Sequence, residues 1–125
     1  MRTVISTNKA PGAIGPYSQG IATNHFIFTS GQLPLNMATG ELEYNDIKKA
    51  TLYALDNVKA IIEEAGGNMA NIVKVTVFLT NMDDFAAVNE VYAGYFTKEP
   101  PARSCIAVAA LPKGVNIEIE AIALK

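Results

Sequence analysis

Apolar positions recur along this chain with two different periods, and the places where the period changes divide it into elements. Between Asp46 and Ala65, the residues Ile47, Ala54, Val58, Ile61 and Ala65 return at helical spacing, Leu55 and Ile62 widen the stripe, and Gly66 follows as a stop. That spacing predicts an amphipathic helix. From Ile72 to Thr80 the chain turns β-branched, with Val73, Val75, Val77 and Leu79 alternating against Lys74, Thr76 and Thr80, which predicts a strand with one apolar face. A second helix is expected from Asp83 to Phe96. It turns Phe85, Val88, Tyr92 and Tyr95 or Phe96 inward, has Asp83 and Asp84 as capping charges at its start, and is halted by Pro100 and Pro101.

The two ends of the chain read as strands. A short strand is expected near Thr3 to Ile5, followed by an ordered loop over residues 10–16, where Pro11, Gly12, Gly15 and Pro16 break both periods and deliver Tyr17 to a fixed place. Ser18 to Ser30 alternates and is interrupted at Thr23 and Asn24, the pattern of a hairpin with Phe26 and Phe28 on one face. The last two strands are expected over Ala102 to Ala110 and Val115 to Leu124, joined by a tight antiparallel turn at Leu111-Pro112-Lys113-Gly114. With no repeat or linker, residues 1–125 are expected to form a single domain of order βββ-α-β-α-ββ. The fold class is then α+β, a two-layer sandwich with about six strands in a mixed sheet and two helices on one face. The other face has no helix left to cover it.

Composition narrows the chemistry. Half of the residues are hydrophobic and 18% are charged, more apolar than a disordered chain and slightly richer than one small domain needs, so another subunit is a natural cover. The net charge of −2 and the scatter of basic residues from Arg2 to Lys125 leave no footprint for a phosphate backbone, and nucleic acid is not expected as the main partner. No apolar stretch is long enough for a signal segment or a membrane span, so a cytoplasmic protein is expected. One cysteine and one histidine, Cys105 and His25, exclude an internal disulfide and argue against a metal site built on nitrogen and sulfur.

Candidate chemistry follows from the register of the assumed final hairpin. Pairing Ala110 with Val115 places Ser104, Ile106, Val108 and Ala110 with Val115, Ile117, Ile119 and Ala121 on the helix side. The other side then gathers Arg103, Cys105, Ala107 and Ala109 with Asn116, Glu118, Glu120, Ile122 and Leu124. An arginine flanked by small residues needs an anion, and its planar fork suits either a ligand carboxylate or a structural pairing with Glu120. Cys105, with no histidine nearby in sequence, reads as a small hydrophobe rather than a nucleophile. Acids alternating along a strand, as Glu118 and Glu120 do, read on pattern alone as a solvated face. His25 reads as a surface residue, and Tyr44, Tyr53 and Phe85 read as packing.

Four stretches carry a resemblance: residues 15–20 (Gly-Pro-Tyr-Ser-Gln-Gly), 29–34 (Thr-Ser-Gly-Gln-Leu-Pro), 84–89 (Asp-Phe-Ala-Ala-Val-Asn) and 101–105 (Pro-Ala-Arg-Ser-Cys). Together they resemble the RidA family, also called YjgF, over nearly the whole chain. The resemblance implies a chorismate-mutase-like fold, a homotrimer with sites in the clefts between subunits, and hydrolysis of 2-iminobutanoate and 2-iminopropanoate to 2-oxo acids and ammonia without metal or cofactor. By the same resemblance Arg103 binds the substrate carboxylate with help from Cys105, Glu118 is the site acid, and Tyr17, Ser30 and Gly31 line the site. Arg103 would anchor, and Glu118 would hold or deprotonate the attacking water. The implied source of the imines is a pyridoxal-phosphate dehydratase acting on threonine or serine. Ala107 and Ala110 depart from relatives that carry an acid and a base there. Two rival functions belong to the same resemblance: a trimer that binds 2-oxo acids without turnover, and a ribonuclease or translation inhibitor.

Overall fold

The computed structural model describes residues 1–125. Strands β1 (Thr3–Ile5), β2 (Gly20–Ala22) and β3 (Phe26–Thr29) are followed by a small hairpin of β4 (Leu35–Asn36) and β5 (Glu41–Leu42). Helix α1 (Ile47–Glu64), strand β6 (Ile72–Leu79), helix α2 (Phe85–Tyr95), and strands β7 (Ala102–Ala107) and β8 (Ile117–Leu124) complete the chain. The order βββ-α-β-α-ββ holds, with β4 and β5 inserted where no period was legible. The main sheet is six-stranded and mixed, ordered β1-β2-β3-β8-β6-β7, and both helices lie on one side of it as an α+β sandwich. No helix is long and apolar enough to cross a membrane.

Local chemistry explains the helices. Asp46 caps α1 by accepting from the N–H groups of Lys48 and Lys49, and Gly66 leaves the helix at a positive φ of 92°. The stripe Ala54, Leu55, Val58, Ile61 and Ile62 is fully buried against Val75, Val77, Ile117 and Ile119, and each large side chain contributes roughly 1.5–3 kcal/mol by leaving water. Before α2, Asp83 and Asp84 fall in a short 3-10 turn (Met82–Asp84). The side chain that caps it is Asn81, which accepts from Asp83 N, while Asp84 makes no side-chain cap. The two acids therefore add charge to the turn and leave the capping to Asn81.

Two expectations about the strands are corrected. Val73 is exposed and Ile72 buried, because a bulge between Ile72 and Lys74 shifts the alternation by one residue; Val75, Val77 and Leu79 then point inward as expected. More consequentially, β7 and β8 do not form a hairpin. β7 pairs in parallel with β6 at the sheet edge, reached through α2 as a parallel pairing demands, and β8 runs antiparallel on the other side of β6. Residues 108–116 step across the end of β6, tied by Val108 N to Leu79 O (2.8 Å) and Thr80 N to Asn116 O (3.2 Å). The 3-10 turn Pro112–Gly114, with Lys113 at φ 58°, belongs to that crossing. Burial favours this order: β8 carries four inward side chains that are fully enclosed, suiting a central strand, whereas β7 is small-residue and half-exposed, suiting an edge.

Re-registering β7 through β6 exchanges its faces. Arg103 lies beside Val75 and Cys105 beside Val77, so both point to the helix layer together with Ala107. Ser104 and Ile106 face the open side. Ile117, Ile119 and Ala121 keep the helix side, and Glu118, Glu120 and Ile122 the open one. Phe26 and Phe28 share the open face as expected, with ring centroids 6.2 Å apart.

Candidate active site

Four of the six expected site residues, Tyr17, Ser30, Gly31 and Glu118, meet in one cleft of about 740 Å³. The loop that carries Tyr17 is clamped by buried Gln19, whose side chain accepts from Thr7 N (2.7 Å) and donates to the carbonyls of Pro11 (2.7 Å) and Thr7 (3.0 Å). Gly15 turns at φ 118°, and the Tyr17 hydroxyl accepts from Ile14 N at 3.3 Å, which leaves its own proton for the cleft. Just past β3, Ser30 N donates to Gln19 O (2.8 Å) and Ser30 Oγ donates to Ser18 O (2.6 Å). Its hydroxyl proton is committed, so Ser30 faces a ligand as an acceptor.

Glu118 enters the cleft from the start of β8, as its second residue. Gln32 and Ile119 exchange backbone hydrogen bonds of 2.7 and 3.1 Å, which brings Gly31 directly onto the Glu118 side chain. Partial burial, and then the negative charge of Glu120 two residues on, raise the Glu118 carboxyl above the ordinary carboxylate range. Ile14, Leu33, Leu35 and Leu42 make the apolar wall, and Pro112 and Lys113 close one end.

Arg103 and Cys105 are elsewhere. The guanidinium lies under α2, with Nη1 donating to Asn89 Oδ1 at 2.7 Å and its carbon 5.4 Å from the Phe85 ring centre and 4.7 Å from that of Tyr92. Glu120 lies on the opposite face and is not its partner; the one ion pair in the molecule joins Lys48 to Glu90. Arg103 thus carries a positive charge that no carboxylate of its own chain neutralises. Cys105 packs at the edge of the core, and burial pushes its thiol up more than the neighbouring Arg103 draws it down. It is a thiol near neutrality rather than a thiolate. No three His, Cys, Asp or Glu side chains gather closely enough to hold a metal ion.

The other residues considered have plain placements. His25 is exposed in the β2–β3 turn, Tyr53 Oη accepts from Asn36 Nδ2 (3.2 Å), and Tyr44 Oη donates to Lys113 O (2.9 Å). Phe85 does more than pack, since it faces Arg103. Asn89 has a contact that pattern reading missed, although its helical spacing from Phe85 and Tyr92 signals a common face.

A two-layer sandwich with an acid-bearing cleft on one side of its sheet and a lone arginine at its edge defines the class. The chain belongs to the RidA/YjgF family: the family model described as Endoribonuclease L-PSP matches residues 7–125. It is similar to a RutC family protein of Pyrococcus abyssi, 52% identical over 99% of this chain and 98% of that one. It is also similar to the 2-iminobutanoate/2-iminopropanoate deaminase of Escherichia coli K12, 51% identical over 100% of this chain and 99% of the relative. Among solved structures, Escherichia coli TdcF with bound serine superposes with a TM-score of 0.94 at 48% identity, covering 98% of each chain.

Proposed function

We propose that this chain is a cofactor-independent deaminase that hydrolyses small 2-imino acids, such as 2-iminobutanoate and 2-iminopropanoate, to 2-oxo acids and ammonia. The site is shared between subunits of a homotrimer. Arg103 and Cys105 come from one copy, and Tyr17, Ser30, Gly31 and Glu118 from the cleft of the next. The observation that carries this reading is the separation itself: an uncompensated arginine on the helix side of β7, and an acid-lined cleft on the open side of β8. A second copy brings the two together. The open sheet face supports such an assembly, because Phe26, Phe28, Leu124 and Ile106 are 39–47% exposed there, an apolar patch that invites cover.

The chemistry asked of these residues is modest. A protonated imine carbon is already electrophilic, so orientation and one activated water suffice. The Arg103 fork takes the substrate carboxylate. Glu118, held against Gly31 with a raised proton affinity, takes a proton from the attacking water and gives it to the nitrogen of the carbinolamine, then takes the carbinolamine hydroxyl proton as the C–N bond breaks, so that the 2-oxo acid and ammonia leave. Ser30 Oγ accepts from the iminium N–H, and the Tyr17 hydroxyl donates to the developing carbinolamine oxygen. The direct test is a coupled assay in which a dehydratase generates the imine and formation of 2-oxobutanoate is followed. Faster release with the protein present supports the reading, and an unchanged rate contradicts it.

A further inference from the structure

The guanidinium of Arg103 is framed by a single helix. Phe85, Asn89 and Tyr92 are spaced by four and then three residues, so one stripe of α2 presents two aromatic rings and one amide to the same group. The rings restrict the plane of the fork, and Asn89 Oδ1 fixes its rotation by engaging Nη1. Every group of its own chain recorded facing the charge is neutral. Asn89 and Phe85 carry none, and burial raises both Tyr92 and Cys105, the two titratable neighbours, so that they keep their protons near neutrality. The one acid within α2, Glu90, is exposed and taken up by Lys48 at 2.5 Å. An aspartate at position 89 would have nearly the same shape and a stronger bond to arginine, yet it would neutralise the charge. Tyr92 also leaves its buried hydroxyl without a hydrogen-bond partner, so the second neighbour competes for none of the fork's donors.

From this we infer that Asn89 is a positioning residue for Arg103: a neutral acceptor that locks the guanidinium in one orientation while leaving its full charge and its remaining donors to a ligand carboxylate. The inference rests on the carboxylate-anchor reading of Arg103. Orientation and neutrality are separate demands, and an amide is the side chain that meets both.

The experiment measures 2-oxobutanoate affinity by calorimetry, 2-iminobutanoate turnover and melting temperature on the assembled protein, for wild type, Asn89→Asp, Asn89→Ala and Arg103→Ala. Asn89→Asp should weaken 2-oxobutanoate binding by about tenfold or more, since an internal carboxylate now competes for a charge-assisted bond, while the melting temperature stays level or rises. Affinity and stability moving in opposite directions is a result that a merely structural role does not produce. Asn89→Ala, which frees the fork but keeps its charge, should cost about threefold to tenfold in affinity and serves if the aspartate variant does not fold. Wild-type affinity in either variant while Arg103→Ala loses binding overturns the positioning role alone, as does affinity falling in step with melting temperature. Wild-type affinity in Arg103→Ala overturns the anchor reading on which it rests.

Discussion

Glu118 and Gly31 touch in a way that only glycine permits: a Cβ at position 31 would stand 2.7 Å from Glu118 Cδ and 3.0 Å from its Cγ. The obstacle is the far end of a flexible side chain rather than backbone, so an alanine there displaces the carboxylate without breaking the fold. Gly31→Ala should therefore lower kcat for 2-iminobutanoate by about tenfold or more, with a melting temperature within a few degrees of wild type. Steady-state kinetics beside a thermal scan check this, and an unchanged kcat would show that the carboxylate has no fixed task.

The proton balance of Glu118 gives a pH prediction. Its carboxyl is raised by partial burial and by Glu120, and the proposed mechanism uses its charged form. The rate, kcat/KM, should thus fall as pH drops through a value above the ordinary carboxylate range. Glu120→Gln removes the like charge, which lowers the Glu118 pKa and moves the acid limb to lower pH. A limb that stays in place or moves upward contradicts the assignment of Glu118 as the titrating base.

Cys105 lacks a base, and burial holds it as a thiol. Cys105→Ser should retain most turnover, roughly within threefold of wild type, and the wild-type thiol should react slowly with iodoacetamide at pH 7. Complete loss of activity in a folded Cys105→Ser variant would give the thiol a chemical role.

The elements with a clear period were legible in the chain. The stripe of α1, the hairpin of β2 and β3, and the inward residues of β8 all follow from spacing, because burial of one face imposes that spacing. The pairing of β7 was not legible. Leu111-Pro112-Lys113-Gly114 has the composition of a hairpin turn, but nothing local reveals that β6 lies between the two strands. Since side chains alternate, assigning β7 to the wrong neighbour placed Arg103 and Cys105 on the wrong face, although Arg103 was singled out for its chemistry and Cys105 through the resemblance. Leu35 and Leu42 escaped notice because the segment around β4 and β5 has no period to read. The cleft itself was legible only through the motifs around Tyr17, Ser30 and Gly31.

Arg103→Lys separates geometry from charge. Lysine keeps the charge and loses both the fork and the bond to Asn89, so kcat/KM should fall by one to two factors of ten, about 1.5–3 kcal/mol, with the trimer intact. Arg103→Ala should abolish detectable turnover. If activity and melting temperature decline together in Arg103→Lys, the arginine is a structural residue.

The most direct measurement mixes two inactive variants. Arg103→Ala and Glu118→Gln are each prepared, then recombined by denaturation and refolding at equal concentrations, and turnover of 2-iminobutanoate is compared with each variant treated alone. Because Arg103 and Glu118 of one chain lie on opposite faces of its sheet, a shared site regains both intact residues wherever a Glu118→Gln subunit presents its arginine to the cleft of an Arg103→Ala subunit. Random assembly of the proposed cyclic trimer would then restore about one quarter of wild-type activity. Recovery near that level is the predicted result. No recovery above the separate variants, with trimers present by light scattering, would contradict a site shared between subunits.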